Sequence, residues 1–213
     1  MPLDNFGYFN NHYTDFSITD PSSFAIEMTS KYLREKHTVI ELGCGNGRDG
    51  IQIVKSNCNY IGFDINARAI EAAQLTFQKS NIPENLYKLE VSSVVDFPFE
   101  NYMKNDLIIY SRFFLHSISE EEENLLLNKF ENNLKKGTIF MLETRTIFDE
   151  LFGVGEFQNL NTYKSDHLRR FIDPISFYKK IEKQFKILEY GVSKNWAKFE
   201  DANPFVLRAV FIN

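Results

Sequence analysis

The segment Val39 to Gly50, VIELGCGNGRDG, is the stretch of this chain best equipped for chemistry. Its glycines permit a tight turn and let backbone approach a bound ligand closely. Gly45, Gly47 and Gly50 match the spacing of the dinucleotide fingerprint, a signal that is weak when it stands alone. Two ligand classes use such a turn, dinucleotides and S-adenosylmethionine. Glu41, two residues before Gly43, argues for the second. A carboxylate there suits the cationic amino group of a methionine moiety and would repel a pyrophosphate. Its plainer reading, a solvent-facing charge at a strand edge, sits poorly with such apolar neighbours. Asp64 follows 64 − 41 = 23 positions later, at the end of a second apolar run. A carboxylate there can accept two hydrogen bonds from a ribose diol, which serves either cofactor. Asp64 is also a helix-cap residue type, but Asn66 already suits that position.

A second group of polar residues follows the later apolar runs. Ser111-Arg112-Phe113-Phe114-Leu115-His116 comes after Leu107 to Tyr110. His116 is a candidate base or anion ligand, or equally a packing histidine. Arg112 is a candidate for a cofactor or acceptor carboxylate, or for a plain ion pair, since an unpaired charge so near a buried strand is costly. Arg145 follows Glu143 and Thr144, and Asp166-His167-Leu168-Arg169-Arg170 lies further on. Guanidinium forks suit carboxylates and phosphates, so Arg145 with Arg169 or Arg170 can form an anion pocket. The alternative is a solvated face balancing Asp149, Glu150 and Glu156. His167 is a second candidate base, or a structural partner of Asp166. In the aromatic N-terminal segment, Tyr8, His12 and Tyr13 can fold over a bound cofactor or pack on the surface.

The elements that must position these residues alternate. Asp20-Pro21 predicts the start of a first helix, with Phe24, Met28 and Tyr32 on one face. Strands are expected at Thr38 to Leu42, Tyr60 to Asp64, Leu86 to Val91, Leu107 to Tyr110 and Thr138 to Glu143. Helices are expected from Arg48 to Ser56, from Ala67 to Lys79 behind an Asn66 cap, and after a Ser119/Glu122 capping box. Residues 146 to 172 show weak periodicity and two glycines, and read as an irregular insertion covering the substrate. Asp173-Pro174 starts another helix, and strands near Phe185 to Val192 and Phe205 to Ile212 finish the chain. Such alternation implies a mostly parallel sheet covered on both faces, with one antiparallel addition.

Composition excludes several classes. With 213 residues and 43% hydrophobic content, one core-forming domain over 1–213 is expected, with 1–20 as an N-terminal arm. Lys plus Arg number 24 against 29 Asp plus Glu, a net charge of −5, which disfavours nucleic acid as a partner. No apolar run approaches the ~20 residues that span a bilayer. Cys44 and Cys58 are too few for a disulfide framework, and no Cys/His cluster has zinc-ligand spacing, so no metal is expected. The chain reads as cytoplasmic.

VIELGCGNGRDG, YIGFDIN, LEVSS, LIIYSRFFLHSI and LKKGTIFMLE occur in an order that resembles the class I S-adenosylmethionine-dependent methyltransferases, over about Pro21 to Glu143. The resemblance implies an α/β, Rossmann-like fold: a seven-stranded, mostly parallel sheet with an antiparallel last strand and helices on both faces. It implies S-adenosylmethionine as cofactor and S-adenosylhomocysteine as product. Gly43, Cys44 and Gly45, with Asn46 and Arg48 of the same turn, would cradle the methionine part beside Glu41. Asp64 would hold the ribose, Ile65 would flank the adenine, and Val91 would belong to the cofactor site. Glu90 occupies the position of an acid, often Asp, that meets the adenine amino group. Tyr110 and Ser111 would lie beneath the methionine. The Asp/Asn-Pro-Pro-aromatic motif of amine and base methylators is missing. PSSFA, GCGNGRD, YSRFFLHSI, ETR and DHLRRFID look more narrowly like methyltransferases of bacterial capsule and surface-glycan pathways. That likeness implies O-methylation of a small or glycan-linked anionic acceptor, of sugar or phosphoramidate type, by a monomer or homodimer. A NAD-dependent oxidoreductase and a non-catalytic S-adenosylmethionine-binding subunit are the alternatives.

Overall fold

The computed structural model describes residues 5, 7–9, 20–102, 106–199 and 201–213. Ten strands and five helices account for the regular structure treated below. They are α1 (Ser23–Tyr32), β1 (Thr38–Leu42), α2 (Arg48–Lys55), β2 (Asn59–Asp64), α3 (Ala67–Lys79), β3 (Tyr87–Val91), β4 (Leu107–Arg112) and α4 (Glu120–Asn133). After them come β5 (Ile139–Arg145), β6 (Glu156–Asn159), β7 (Thr162–Lys164), β8 (Leu168–Arg170), α5 (Pro174–Ile181), β9 (Lys186–Ser193) and β10 (Val206–Ile212). The principal sheet has seven strands in the order β3-β2-β1-β4-β5-β10-β9. β1, β2 and β3 pair in parallel, and β10 runs antiparallel to both β5 and β9. The expected fold class is therefore the observed one.

Two compact units divide the chain, residues 6–110 and residues 111–213 with 1–5. In the first, β1 is buried from its second residue onward, as a strand covered on both faces must be. Asn66 caps α3 by accepting from the Arg68 and Ala69 amides. The aromatic content fills the core beside β3: Phe63 stacks on Phe97 at 4.1 Å, and Phe97 stacks on Tyr102 at 5.5 Å. Each fully buried Phe contributes about 1.5–3 kcal/mol. In the second unit, α4 opens on the Ser119/Glu122 capping box, with Leu126, Leu127 and Phe130 inward. Phe140 of β5 stacks on Phe211 of β10 at 4.6 Å.

Two sequence expectations are corrected. Asp20 does not cap α1, and Pro21 lies outside it. Ser22 is the cap: its Oγ accepts from the Ala25 amide at 3.0 Å, while its own amide and hydroxyl donate to the Asp49 carboxylate, each at 2.7 Å. A long-range partner thus moves the start of the helix two residues on. The second correction concerns residues 146 to 172, which are not wholly irregular. They contain an antiparallel three-stranded meander, β6-β7-β8. Its strands are three or four residues long, and β6 is exposed throughout, so no period-two burial pattern marks it in sequence.

Candidate active site

In the first unit the glycine turn is built from backbone. The Cys44 amide donates to the Phe63 carbonyl and the Gly47 amide to the Cys44 carbonyl, both at 2.9 Å. Gly43, Gly45 and Gly47 have φ of 64°, 54° and 74°, the left-handed region that disfavours side chains. Asp64 holds this turn to the start of α3, because Oδ2 accepts from the Gly45 amide at 3.1 Å and Oδ1 from the Asn66 amide at 2.9 Å. Burial raises the Asp64 pKa above its ordinary value, and those amides offset part of the rise. Beyond it, Ile65 and Val91 are exposed.

Glu41 is buried, and its Oε2 accepts from the Tyr60 hydroxyl at 2.5 Å. The third glycine of the fingerprint finds its purpose here. A Cβ on Gly50 would stand 2.4 Å from the Tyr60 ring, and one on Gly62 2.5 Å from its hydroxyl. Gly50 therefore makes room for the tyrosine that orients Glu41. The Cys44 thiol is pushed well above its ordinary pKa by burial and then by Asp64 and Glu41, so it is a packing group and no nucleophile.

Several expected cofactor residues have protein partners. Tyr110 donates to Asp49 Oδ2 at 2.7 Å, within the network that caps α1. Glu90 is tied to Lys88 and accepts from the Tyr102 hydroxyl at 2.6 Å. Burial raises its pKa, and these two hydrogen bonds outweigh that and lower it overall. Asn46 Oδ1 accepts from the Arg48 amide at 3.4 Å, and Arg48 Nε lies 3.9 Å from Asp49. Sequence reasoning passed over Ser93 and Asp96 beyond β3. The Ser93 hydroxyl donates to Asp96 Oδ2 at 2.5 Å and accepts from the Asp96 amide at 3.1 Å. Their Ser-x-x-Asp spacing was the available signal.

In the second unit the strand ends gather the other candidates. Ser111 and Thr144 are fully buried, and neither hydroxyl has a hydrogen-bond partner among the described residues. Glu143, also fully buried, is clasped by Arg112 Nε at 2.9 Å and Arg208 Nε at 2.7 Å. Arg112 is thus committed to an ion pair. Arg208, which no sequence motif singles out, faces Glu143 across the β5–β10 register. Phe113 adopts a φ of 53°, and the guanidinium carbons of Arg112 and Arg145 lie 4.3 and 5.6 Å from its ring centre. Left-handed backbone in a bulky residue is uncommon and concentrates at functional sites.

Arg145 donates from Nη1 alone to both oxygens of Asp149, at 3.0 and 2.9 Å. Arg169 pairs with Asp166 at 2.5 and 3.2 Å and donates to Ser165 at 2.9 Å. Arg170 departs from expectation. It donates to the carbonyls of Leu115 and Ile118 at 3.0 and 2.9 Å and to Glu123 at 2.6 Å, all buried. Its role is to fasten β8 to the turn that carries His116, so it is no part of an anion pocket.

His116 is buried, and its Nδ1 has no partner among the described residues. Burial holds its pKa well below the ordinary value, and Arg145, Arg169, His167 and Arg170 lower it further. His167 Nδ1 lies 3.3 Å from Asp166 Oδ2, and burial and Arg169 take its pKa down to about 4 against that partner. Both imidazoles are therefore neutral at neutral pH, beside guanidiniums. Asn5 joins this side by exchanging two 2.8 Å hydrogen bonds with the Leu168 backbone. Tyr13 and His12 lie outside the described residues.

Residues 33–196 match the family model described as a methyltransferase domain. The chain belongs to that methyltransferase family. A methyl transferase assignment replaces the oxidoreductase alternative. No curated protein sequence matches the chain. Among solved structures, it resembles a S-adenosylmethionine-dependent methyltransferase from Methanosarcina mazei, with 15% identity, TM-score 0.72 and 87% and 96% of the two chains covered. It also resembles magnesium protoporphyrin IX methyltransferase from Synechocystis with bound S-adenosylmethionine (12%, 0.63, 90% and 76%). A third is the glycopeptide N-methyltransferase MtfA with bound S-adenosylhomocysteine (13%, 0.66, 100% of each). S-adenosylmethionine is the cofactor of this methyltransferase fold. The residues present fit it: the left-handed glycine turn leaves no side chain in the way, and Asp64 stands at its edge with Ile65 exposed beyond. Among the described residues no cluster suits a metal ion, and no helix is long and apolar enough to cross a membrane.

Proposed function

We propose that this methyltransferase methylates an oxygen of a small or glycan-linked anionic acceptor. The observation that carries the reading is the group His116, His167, Arg145 and Arg169: the Phe113 ring has the His116 ring 5.5 Å away and the Arg145 guanidinium 5.6 Å away, and burial with these guanidiniums lowers the pKa of both imidazoles. S-adenosylmethionine, when bound, supplies an electrophilic methyl group on its sulfonium. The glycine turn with Glu41, Asp64 and Ile65 would hold it. Arg145 and Arg169 attract and orient the anionic acceptor, since each keeps donors without an acceptor among the described residues. Most of the rate would come from such positioning. His116, whose buried Nδ1 has no partner among the described residues, would take the proton of a neutral acceptor hydroxyl. An acceptor that is already an oxyanion needs only the arginines. Two free, buried cysteines suit a reducing, cytoplasmic setting.

The capsule-type sequence likeness favours sugar or phosphoramidate acceptors. The test is transfer of a labelled methyl group to a panel of sugar phosphates, phosphoramidates and their uncharged analogues. Preference for the anionic members is expected. Preference for the uncharged members, or for amines, would refute the reading. Tight S-adenosylhomocysteine binding with no transfer to any acceptor would favour a non-catalytic subunit.

A further inference from the structure

The meander carries its polar and aromatic residues in ordered rows. Phe157 of β6 pairs with Tyr163 of β7, and Tyr163 pairs with Arg169 of β8, so the three side chains share one face. Alternation puts Thr162 and Arg170 on the other face, which Arg170 fastens to the Leu115 and Ile118 carbonyls. Phe157 packs edge-on to Tyr163, with ring centres 5.8 Å apart, and Phe152 does the same from 5.3 Å. Yet Phe157 remains 64% exposed on a strand exposed along its length. An aromatic ring braced by a neighbouring tyrosine and left open to water is a ready contact for the apolar face of a ligand ring. At the far end of the row, Arg169 keeps its Nε without an acceptor among the described residues. One strand spacing is about 4.8 Å, so Phe157 lies about 10 Å from the cationic end.

We propose that the Phe157–Tyr163–Arg169 row is an acceptor subsite that measures length. It takes an elongated acceptor joining an anionic group, held at Arg169, to a second ring about 10 Å away, covered by Phe157. This rests on the methyl-transfer reading and adds to it. The acceptor has at least two rings, and the meander selects it by the distance from anion to distal ring. Continuity with the reaction centre supports this occupant, since Arg169 is among the groups that act on His116. Charge does so too, because the anion and the guanidinium are complementary.

The test is calorimetric titration of the full chain, saturated with S-adenosylhomocysteine, with inorganic phosphate, phenyl phosphate, 4-biphenylyl phosphate and lactose 1-phosphate. 4-Biphenylyl phosphate and lactose 1-phosphate both place a second ring two strand spacings from phosphorus, and they distinguish an aromatic ring from a sugar. Tighter binding of at least one of them than of phenyl phosphate is expected. Phe157→Ser should weaken that ligand by about five- to tenfold and leave inorganic phosphate unchanged. Arg169→Gln should weaken every phosphate. Phe157 is exposed, so its replacement leaves folding intact, which a urea midpoint will verify. If neither two-ring ligand gains over phenyl phosphate, or if the gain survives Phe157→Ser, the length-measuring subsite is wrong. Failure of S-adenosylhomocysteine to saturate the chain would instead sink the methyl-transfer reading.

Discussion

Glu143 is the carboxylate whose loss should be felt most. It is fully buried on β5, with Arg112 at 2.9 Å and Arg208 at 2.7 Å. Glu143→Gln keeps the shape and removes the charge, so two guanidiniums that are themselves largely buried face an amide. Breaking a buried ion pair from one side costs about 3–5 kcal/mol. Both arginines retain some support. Arg208 donates to the Trp196 carbonyl at 2.9 Å and stacks on its ring, and Arg112 stacks on Phe113. The lower end, about 3 kcal/mol, is therefore expected. With a urea m-value of about 2.5 kcal/mol/M, the unfolding midpoint should fall by about 1.2 M. Urea unfolding followed by Trp196 fluorescence measures this, and Arg208→Met with the double variant completes a cycle. If Glu143→Gln shifts the midpoint by less than about 0.2 M, then Glu143 is not the counter-charge that holds these arginines. Arg112 would return as a candidate for the acceptor.

Four further outcomes follow from the same geometry. Tyr60→Phe removes the hydroxyl donor to Glu41 and should cost about 1.5–3 kcal/mol of stability, read as a lowered denaturation midpoint. Gly62→Ala drives a Cβ against the Tyr60 hydroxyl and should weaken S-adenosylhomocysteine binding in calorimetry; pairing it with Tyr60→Leu should restore part of the loss. Asp64→Ala should weaken the same ligand at least tenfold, through the ribose and through the turn it braces, by about 1.4 kcal/mol or more. The folded His167 has a pKa of about 4, below the ordinary 6.5, so the unfolded chain binds more protons in between. Stability should therefore fall as pH drops from about 6.5 toward 4, with His116 adding in the same direction, and His167→Gln should flatten the urea midpoint over that window.

How much of this was legible in the sequence follows from the range of the forces involved. The glycine turn, the Asn66 cap, the Ser119/Glu122 box and the Asp173-Pro174 helix start are local arrangements, set by neighbours within a few residues, and they stand where the sequence puts them. The apolar runs likewise placed β1, β2, β4 and β5, because a strand buried on both faces must be apolar along its length. The acceptor side behaves differently. Five arginines lie in or near this region, and type alone makes them equivalent. Only the folded chain commits Arg112 and Arg208 to Glu143 and sends Arg170 into the Leu115–Ile118 turn, while Arg145 and Arg169 keep donors without acceptors among the described residues. Those partners stand 31 to 65 positions apart along the chain, beyond any periodicity or capping rule. Helix α1 teaches the same lesson, since Asp49, 27 residues away, selects Ser22 over Asp20 as the cap. The sequence by itself determined the sheet, the turn and the chemical kind of the cofactor. Tertiary structure decided which charges hold the fold together, because a buried charge must be paired and only three-dimensional proximity supplies the pair.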